Sequence, residues 1–165
     1  MNSIVLNNSG AAYIKINIAS LKGVSMQKFE FLIDTGATIT TIPKGYLIKA
    51  LGYTDKYILD NKIILSEKEK PTMANGKKID VYKIPITRMN IGGYEIQHNG
   101  CILTSDTVKL GFLLGSDILR YFKFTFDFDA TENNAPYGRM FYELRNSQKV
   151  NFKKVGSPFA YQIKP

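Results

Sequence analysis

A single cysteine, Cys101, stands in this 165-residue chain, and that scarcity excludes any intrachain disulfide framework. Its neighbours Ile102 and Leu103 are apolar, so the thiol is expected on a buried strand rather than in a reactive site. Histidine is equally scarce. His98 is the only one, lies beside Gln97 and Asn99, and is expected at the surface or in a turn. One His and one Cys cannot assemble a metal cluster, so no metal and no cofactor are expected. No run of 18 or more apolar residues occurs, which excludes a membrane-spanning helix. The first eight residues, Met1 to Asn8, carry no basic segment and no long apolar core, so no signal peptide is expected there. Together these absences point to a metal-free, cytoplasmic protein.

Negative charge is in short supply: 22 Lys and Arg stand against 14 Asp and Glu, a net charge of +8. Such a balance invites a nucleic-acid or anionic-surface reading. The lysines are dispersed, however, and the denser groups (Lys68, Lys70, Lys77 and Lys78; Lys149, Lys153 and Lys154) are not interleaved with aromatics as in a nucleic-acid module. They read as solvated surface, and neither nucleic acid nor membrane is expected as a partner. The length is that of one domain able to bury a core, and 44% hydrophobic with 22% charged residues is the balance of a soluble globular chain.

What is present is mostly strand-like. Tyr13 to Ile18 alternates with period two, and Leu21 to Val24 reads as the turn joining it to a second strand, Lys28 to Ile33. Thr38 to Ile42 is β-branched throughout and reads as a strand. Pro43 suits a helix start, Tyr46, Leu47, Ala50 and Leu51 share a helical face, and Gly52 is placed to end it. Lys56 to Leu65 reads as extended. Asn75-Gly76 lies between two strand-like runs and signals a hairpin over Pro71 to Ile84. A further hairpin is expected at Ile91-Gly92-Gly93-Tyr94, and a short strand over Gly100 to Leu103. Leu113-Leu114-Gly115 reads as a strand end before a short helix capped by Ser116 or Asp117. Phe124 to Asp127 and Met140 to Leu144 form the last expected hairpin, around the polar loop Asp129 to Gly138. Phe159 to Ile163 is a candidate final strand.

The stretch that carries chemistry is Phe31-Leu32-Ile33-Asp34-Thr35-Gly36-Ala37. A carboxylate at the end of an apolar strand is costly unless it is used or compensated. Thr35 supplies a hydroxyl, Gly36 lets the backbone turn without a Cβ, and Ala37 keeps the turn small enough for a second copy to approach. The bland alternative is that Asp34 only caps a turn.

These pieces, in this order, resemble the retropepsin-like aspartic proteases, most closely the small single-domain bacterial members. The resemblance rests on Leu32 to Ala37, on Thr72 to Lys77, and on Leu113 to Leu119, and covers about residues 10 to 145. It implies a mainly β fold, a closed β-barrel with one or two short helices that holds half of a two-fold active site. It implies Asp34 as the catalytic residue, with Thr35, Gly36 and Ala37 supporting its loop. Met73, Ala74, Asn75 and Gly76 would form a flap over an extended peptide substrate. The expected organisation is a protease domain over residues 1–145 and a basic tail over 146–165.

Peptide hydrolysis of this kind needs two carboxyls sharing one proton, one as general base and one as hydrogen-bond donor, and so favours acidic to mildly acidic conditions. The chain has one Asp-Thr-Gly. Asp106 is followed by Thr107-Val108, Asp117 by Ile118 and Asp127 by Phe128. A homodimer with two copies of Asp34 across its axis is therefore expected. The Thr35 hydroxyls would cross that axis, and the Gly36 N–H groups would steady the carboxylates. Two other classes compete: a catalytically silent module binding peptides in the same groove, and a basic nucleic-acid-associated protein.

Overall fold

The computed structural model describes residues 2–86, 88–96 and 101–145, and the backbone of 151–154 and 161–164. The expected surface position of His98 lies outside the described residues. The alternating segment forms β2 (Tyr13–Ala19), with Ile14, Ile16 and Ile18 buried, and it pairs antiparallel with β3 (Met26–Ile33) in a register that sets Ile16 opposite Phe29. Before them runs β1 (Asn2–Val5), and after them β4 (Ile63–Ile64), β5 (Tyr82–Pro85), β6 (Met89–Ile91), β7 (Tyr94–Ile96), β8 (Cys101–Thr104) and β9 (Leu113–Leu114). The chain closes with β10 (Phe122–Asp127), β11 (Arg139–Leu144), β12 (Asn151–Lys154) and β13 (Tyr161–Lys164). The last falls close to the strand expected at Phe159 to Ile163, and it pairs parallel with β7.

Among the described residues the strands form three sheets, in the orders β12-β13-β7-β6-β2-β3-β9, β4-β5-β8 and β1-β11-β10. Thr41 ties two of them together, bridging Leu103 on one side and Leu113 on the other. The segment Thr38 to Ile42 is thus not the full strand its β-branching suggested. Only Thr41 is bridged, because the chain passes once between β8 and β9 and then turns into a helix. Within the folded body Phe31, Phe122, Ile16, Ile18, Ile84 and Met89 are fully buried. Each such side chain contributes about 1.5–3 kcal/mol relative to exposure.

Among the described residues three short helices appear where one or two were expected. The first, α1 (Lys44–Lys49), follows Pro43, which occupies the cap position just outside the helix, and buries Leu47. The extra one, α2 (Asp55–Asn61), overturns the extended reading of residues 56–65 up to Asn61. Its cause is local. Thr54 accepts the Tyr57 N–H at 3.0 Å as an N-cap, Asp55 sits in the first turn, and Lys56 pairs with Asp60 four residues on at 2.6 Å. Those signals outweigh the run of apolar residues around them. The third, α3 (Ser116–Leu119), is a single turn. No helix among the described residues is long and apolar enough to cross a membrane. Cys101 lies on β8 but is half-buried, and burial raises its thiol pKa.

A cluster of charges fixes the segment that leads into β9. Lys44 Nζ lies 2.7 Å from Asp106 Oδ1 and 3.1 Å from Asp55 Oδ1, and the Tyr82 hydroxyl donates to the same Asp106 oxygen at 2.9 Å. The Lys44 ammonium holds the Asp106 carboxyl below the usual carboxylate range, with the Tyr82 hydrogen bond acting in the same direction and burial opposing it. A depressed folded pKa means that this stabilisation is complete above the unfolded carboxylate value, near 3.9, and is lost as pH falls through the folded value. Asp106→Asn is therefore expected to cost up to about 1 kcal/mol at pH 7, the pair being partly exposed. The cost should shrink as pH is lowered below about 4. Urea midpoints of wild type and variant across that range check this; a gap independent of pH would refute it.

Candidate active site

The Asp34 loop is built at the end of β3. There Leu32 and Ile33 run parallel to Leu113 and Leu114, and the Leu32 N–H reaches the Phe112 carbonyl at 2.9 Å. Asp34 itself donates its backbone N–H to the Leu114 carbonyl at 3.1 Å, so β9 fixes the height at which the carboxylate leaves the sheet. The chain then turns sharply. Gly36 N–H donates to Asp34 Oδ1 at 2.9 Å, and Ala37 N–H donates to the Asp34 carbonyl at 3.2 Å. Asp34 and Ala37 are half-buried while Thr35 and Gly36 are exposed at the tip.

From the far side α3 holds the loop. Ser116 N–H donates to the Ala37 carbonyl at 2.8 Å, Asp117 N–H to the Thr38 carbonyl at 3.2 Å, and Ser116 Oγ to the Thr35 carbonyl at 3.3 Å. The helix is not capped as its sequence suggested. Gly115 occupies the cap position and no side chain caps it. Asp117 instead points back to the loop exit, where its Oδ1 accepts the Thr40 N–H at 3.0 Å and the Thr40 hydroxyl at 2.9 Å. The Thr40 hydroxyl in turn accepts the Gly115 N–H at 3.1 Å, and Thr40 is fully buried. This network was not read from the sequence. Its signal was a threonine in the β-branched run 38–42 and an Asp just past Leu-Leu-Gly, two features 77 positions apart that only the fold brings together.

The second expected element is a hairpin over Thr72 to Lys78, bridged at its ends. Met73 N–H donates to the Lys77 carbonyl at 2.8 Å, and Gly76 N–H donates to the Met73 carbonyl at 2.9 Å. Gly76 has φ +79°, so the turn spans Met73 to Gly76 with its glycine in the left-handed region, a three-residue hairpin loop with a bulge. Asn75 Oδ1 accepts the Lys77 N–H at 3.0 Å and braces the tip. Met73, Ala74, Asn75 and Gly76 are all exposed. Thus the structure brings Asp34, Thr35, Gly36 and Ala37 together in one loop and the four hairpin residues in another. Among the described residues, no hydrogen bond or ion pair joins the two.

A cleft of about 670 Å³ lies elsewhere, between α1 and residues 105–110, lined in part by Lys44, Tyr46, Lys49, Val108 and Leu110. It includes none of residues 34–37. Among the described residues, no group of three or more His, Cys, Asp or Glu is placed to hold a metal ion.

Comparison with known families decides the kinship. The model of the family described as "gag-polyprotein putative aspartyl protease" matches residues 22–121, well over half of the chain. That interval holds the Asp34 loop, the hairpin and Leu113 to Leu119. The chain belongs to this family of aspartyl proteases. A solved structure agrees: the chain is similar to a retropepsin-like aspartic protease from Rickettsia conorii, with 26% identity, a TM-score of 0.53, and coverage of 78% of this chain and 83% of that one. No curated protein matches. The chain is accordingly a retropepsin-like member of the aspartyl proteases, mainly β.

Within this family setting Gly36 carries a specific expectation. A Cβ added there would stand 3.2 Å from Asp34 Oδ1, tight enough to push the carboxylate by a few tenths of an ångström. The loop tip is exposed, so Gly36→Ala is expected to leave stability within about 1 kcal/mol. On the reading that Asp34 acts on substrate, peptide cleavage should fall by about tenfold, because small displacements of a reacting group are costly. Parallel denaturation and cleavage assays check it, and equal losses in both would refute it.

Proposed function

We propose that this chain is an aspartic endopeptidase that works as a homodimer, with Asp34 and the partner subunit's Asp34 sharing one active site. The observation that carries the reading is the Asp34 loop itself. One carboxylate oxygen is fixed by the Gly36 N–H at 2.9 Å, the backbone is held by Leu114, and the loop tip is open to a second copy. The second carboxylate oxygen is left for a water molecule.

In this reading the ionised member of the pair takes a proton from that water, whose oxygen bonds to the scissile carbonyl carbon. The protonated member hydrogen-bonds the carbonyl oxygen as charge develops on it. When the C–N bond breaks, the departing nitrogen takes a proton and the two carboxyls return to sharing one. Two carboxyls about 3 Å apart cannot both be ionised, which places activity under acidic to mildly acidic conditions. Thr35 hydroxyls brace the two loops across the axis. The exposed main chain of Met73 to Gly76 pairs with the substrate as an added strand, which requires the peptide to be extended.

The test is cleavage of an unstructured protein across roughly pH 4 to 7, the span in which such a pair titrates, by wild type and Asp34→Asn, with molar mass measured on the same samples. Cleavage by a dimer and none by the variant is the expected result. Peptide binding equal in both, with no cleavage by either, would replace the protease with a binding module of the same fold.

A further inference from the structure

The cleft of about 670 Å³ between α1 and residues 105–110 has two walls, and both are braced from behind. On one, the Tyr46 ring packs edge-on against Phe112 and Phe29, with centroids 4.9 and 6.1 Å away, and is still 51% exposed. On the other, the Ser105 hydroxyl donates to the Asp80 carbonyl at 2.7 Å and accepts the Val108 N–H at 3.0 Å, which fixes the turn that carries Val108 to Leu110. Asp106 in the same turn is tied to Lys44 at 2.7 Å. The cleft is therefore pre-formed, and its volume falls in the range of ligand pockets, about 300–1,000 Å³.

We propose that this cleft is a second binding site, which takes an acidic peptide segment anchored by one large apolar side chain. The inference rests on the endopeptidase reading above only in assigning that segment to the substrate protein, away from the scissile bond. Charge selects the occupant. The lining holds three lysines, Lys44, Lys49 and Lys109, against one carboxylate, Asp106, a net charge of +2. Lys44 is engaged by Asp106 and Asp55, whereas among the described residues no ion pair engages Lys49 or Lys109, and both are exposed. Between these two cations Tyr46, Val108 and Leu110 supply apolar surface. Cations around an apolar floor complement carboxylates that flank an apolar residue. A nucleic-acid strand asks instead for a run of cations that tracks its phosphates. Residues 146–165, with Lys149, Lys153, Lys154 and Lys164 and no Asp or Glu, carry the wrong sign to fill the cleft from within the chain.

Both walls hang from the crossing that supports Asp34. Thr41, bridged to Leu103 and Leu113, lies two residues before Pro43 at the head of the first wall. Leu110, at the end of the second, lies three residues before Leu113, which is paired with Leu32 of β3. The Thr41 hydroxyl donates to the Gly111 carbonyl at 2.7 Å and ties the two walls together. A segment seated in the cleft is thus held on the same frame as Asp34, and a substrate anchored there presents its scissile stretch at raised local concentration. Such an anchor acts on KM and leaves kcat unchanged, because it binds ground state and transition state alike.

Fluorescence anisotropy on the full-length Asp34→Asn chain, with a labelled Ser-Glu-Glu-Phe-Glu-Glu-Ser peptide as probe, measures the binding without cleavage. Replacing the peptide's Phe by Ser should weaken it by about tenfold or more, the scale of one buried aromatic side chain. Lys49→Glu with Lys109→Glu should weaken it by about tenfold, as expected for two ion pairs reversed in sign. Lys15→Glu with Lys28→Glu makes the same charge change at exposed positions of β2 and β3 and should weaken it by less than about threefold, the residual long-range effect. In wild type, fusing the acidic segment to a peptide that is cleaved should lower KM at constant kcat, and the Lys49 and Lys109 double variant should abolish that gain. No binding, or equal loss in the two double variants, would overturn the site. A single-stranded oligonucleotide that displaces the peptide and binds more tightly would give the cleft to nucleic acid instead. A wild-type dimer dissociated by the Lys49 and Lys109 changes would make it an interface between copies. Binding with the expected losses, but no cleavage of any protein by wild type, would keep the site and overturn both the endopeptidase reading and the segment's place in a substrate.

Discussion

Asp34→Asn is expected to lower kcat/KM for peptide cleavage by about a thousandfold or more, the scale on which a positioned acid–base group acts. The substitution is nearly isosteric, and the amide oxygen can still accept the Gly36 N–H that Asp34 Oδ1 accepts at 2.9 Å. The backbone bond from residue 34 to Leu114 does not involve the side chain at all. Stability should therefore change by no more than about 0.5 kcal/mol, as for substitutions away from packed or buried features. What is lost is the group that can carry a negative charge and take a proton from water. Two-fold symmetry sharpens the test. Equal amounts of wild-type and variant chains, freely exchanging, should give about half the cleavage of the wild-type chains alone, because half the dimers hold one carboxylate and a quarter hold none. A protein that acts as a monomer would show no such loss on mixing. Retained cleavage in the pure variant would remove Asp34 from the chemistry.

Much of this arrangement was legible in the sequence wherever a signal was local. The alternation of Tyr13 to Ile18, the glycine pairs at 92–93 and the Asn75-Gly76 turn each act within a few residues, and β2, the β6–β7 hairpin and the 72–78 hairpin stand where those signals put them. The Asp34 loop was legible for the same reason, since strand, carboxylate and glycine are contiguous. The extended reading of residues 56–65 fails up to Asn61 because the Thr54 cap and the Lys56–Asp60 pair set the backbone there. Asp117 was misread for a different reason. A carboxylate at the second position of a short helix looks like a cap from its neighbours alone, and its actual hydrogen-bond partner, Thr40, is fixed only by the parallel pairing of β3 with β9. The third helix-like segment and the loop it holds thus depend on long-range register, which no window of sequence contains.

That dependence gives a large expected stability effect at Gly115. Its φ is −94°, so no unusual backbone conformation requires glycine there. Space does. A Cβ at residue 115 would lie 2.7 Å from the Ile39 carbonyl carbon, 2.9 Å from the Ala37 oxygen and 2.9 Å from the Thr40 nitrogen. All three are backbone atoms of the segment leaving the Asp34 loop, so no side chain can swing aside. To admit a methyl group, α3 and residues 37–40 must separate. Separation strains the Ser116 N–H bond to Ala37, the Gly115 N–H bond to the Thr40 hydroxyl, and the Asp117 contacts with Thr40, in a place where Thr40 has no access to water. Overpacking costs about 1–3 kcal/mol and a weakened buried hydrogen bond about another 1, so Gly115→Ala should lose about 3 kcal/mol or more. The measurement is a shift of the urea midpoint at constant m, together with the cleavage assay. Activity should fall further than stability predicts, because the residual fold would hold residues 37–40, and with them Asp34, out of place. The contrast with Gly36→Ala is what separates the two glycines: one change crowds a carboxylate oxygen at an open tip, the other wedges apart the backbone that supports it. A Gly115→Ala protein with wild-type midpoint would show that α3 is free to move, and that the loop is held by β9 alone.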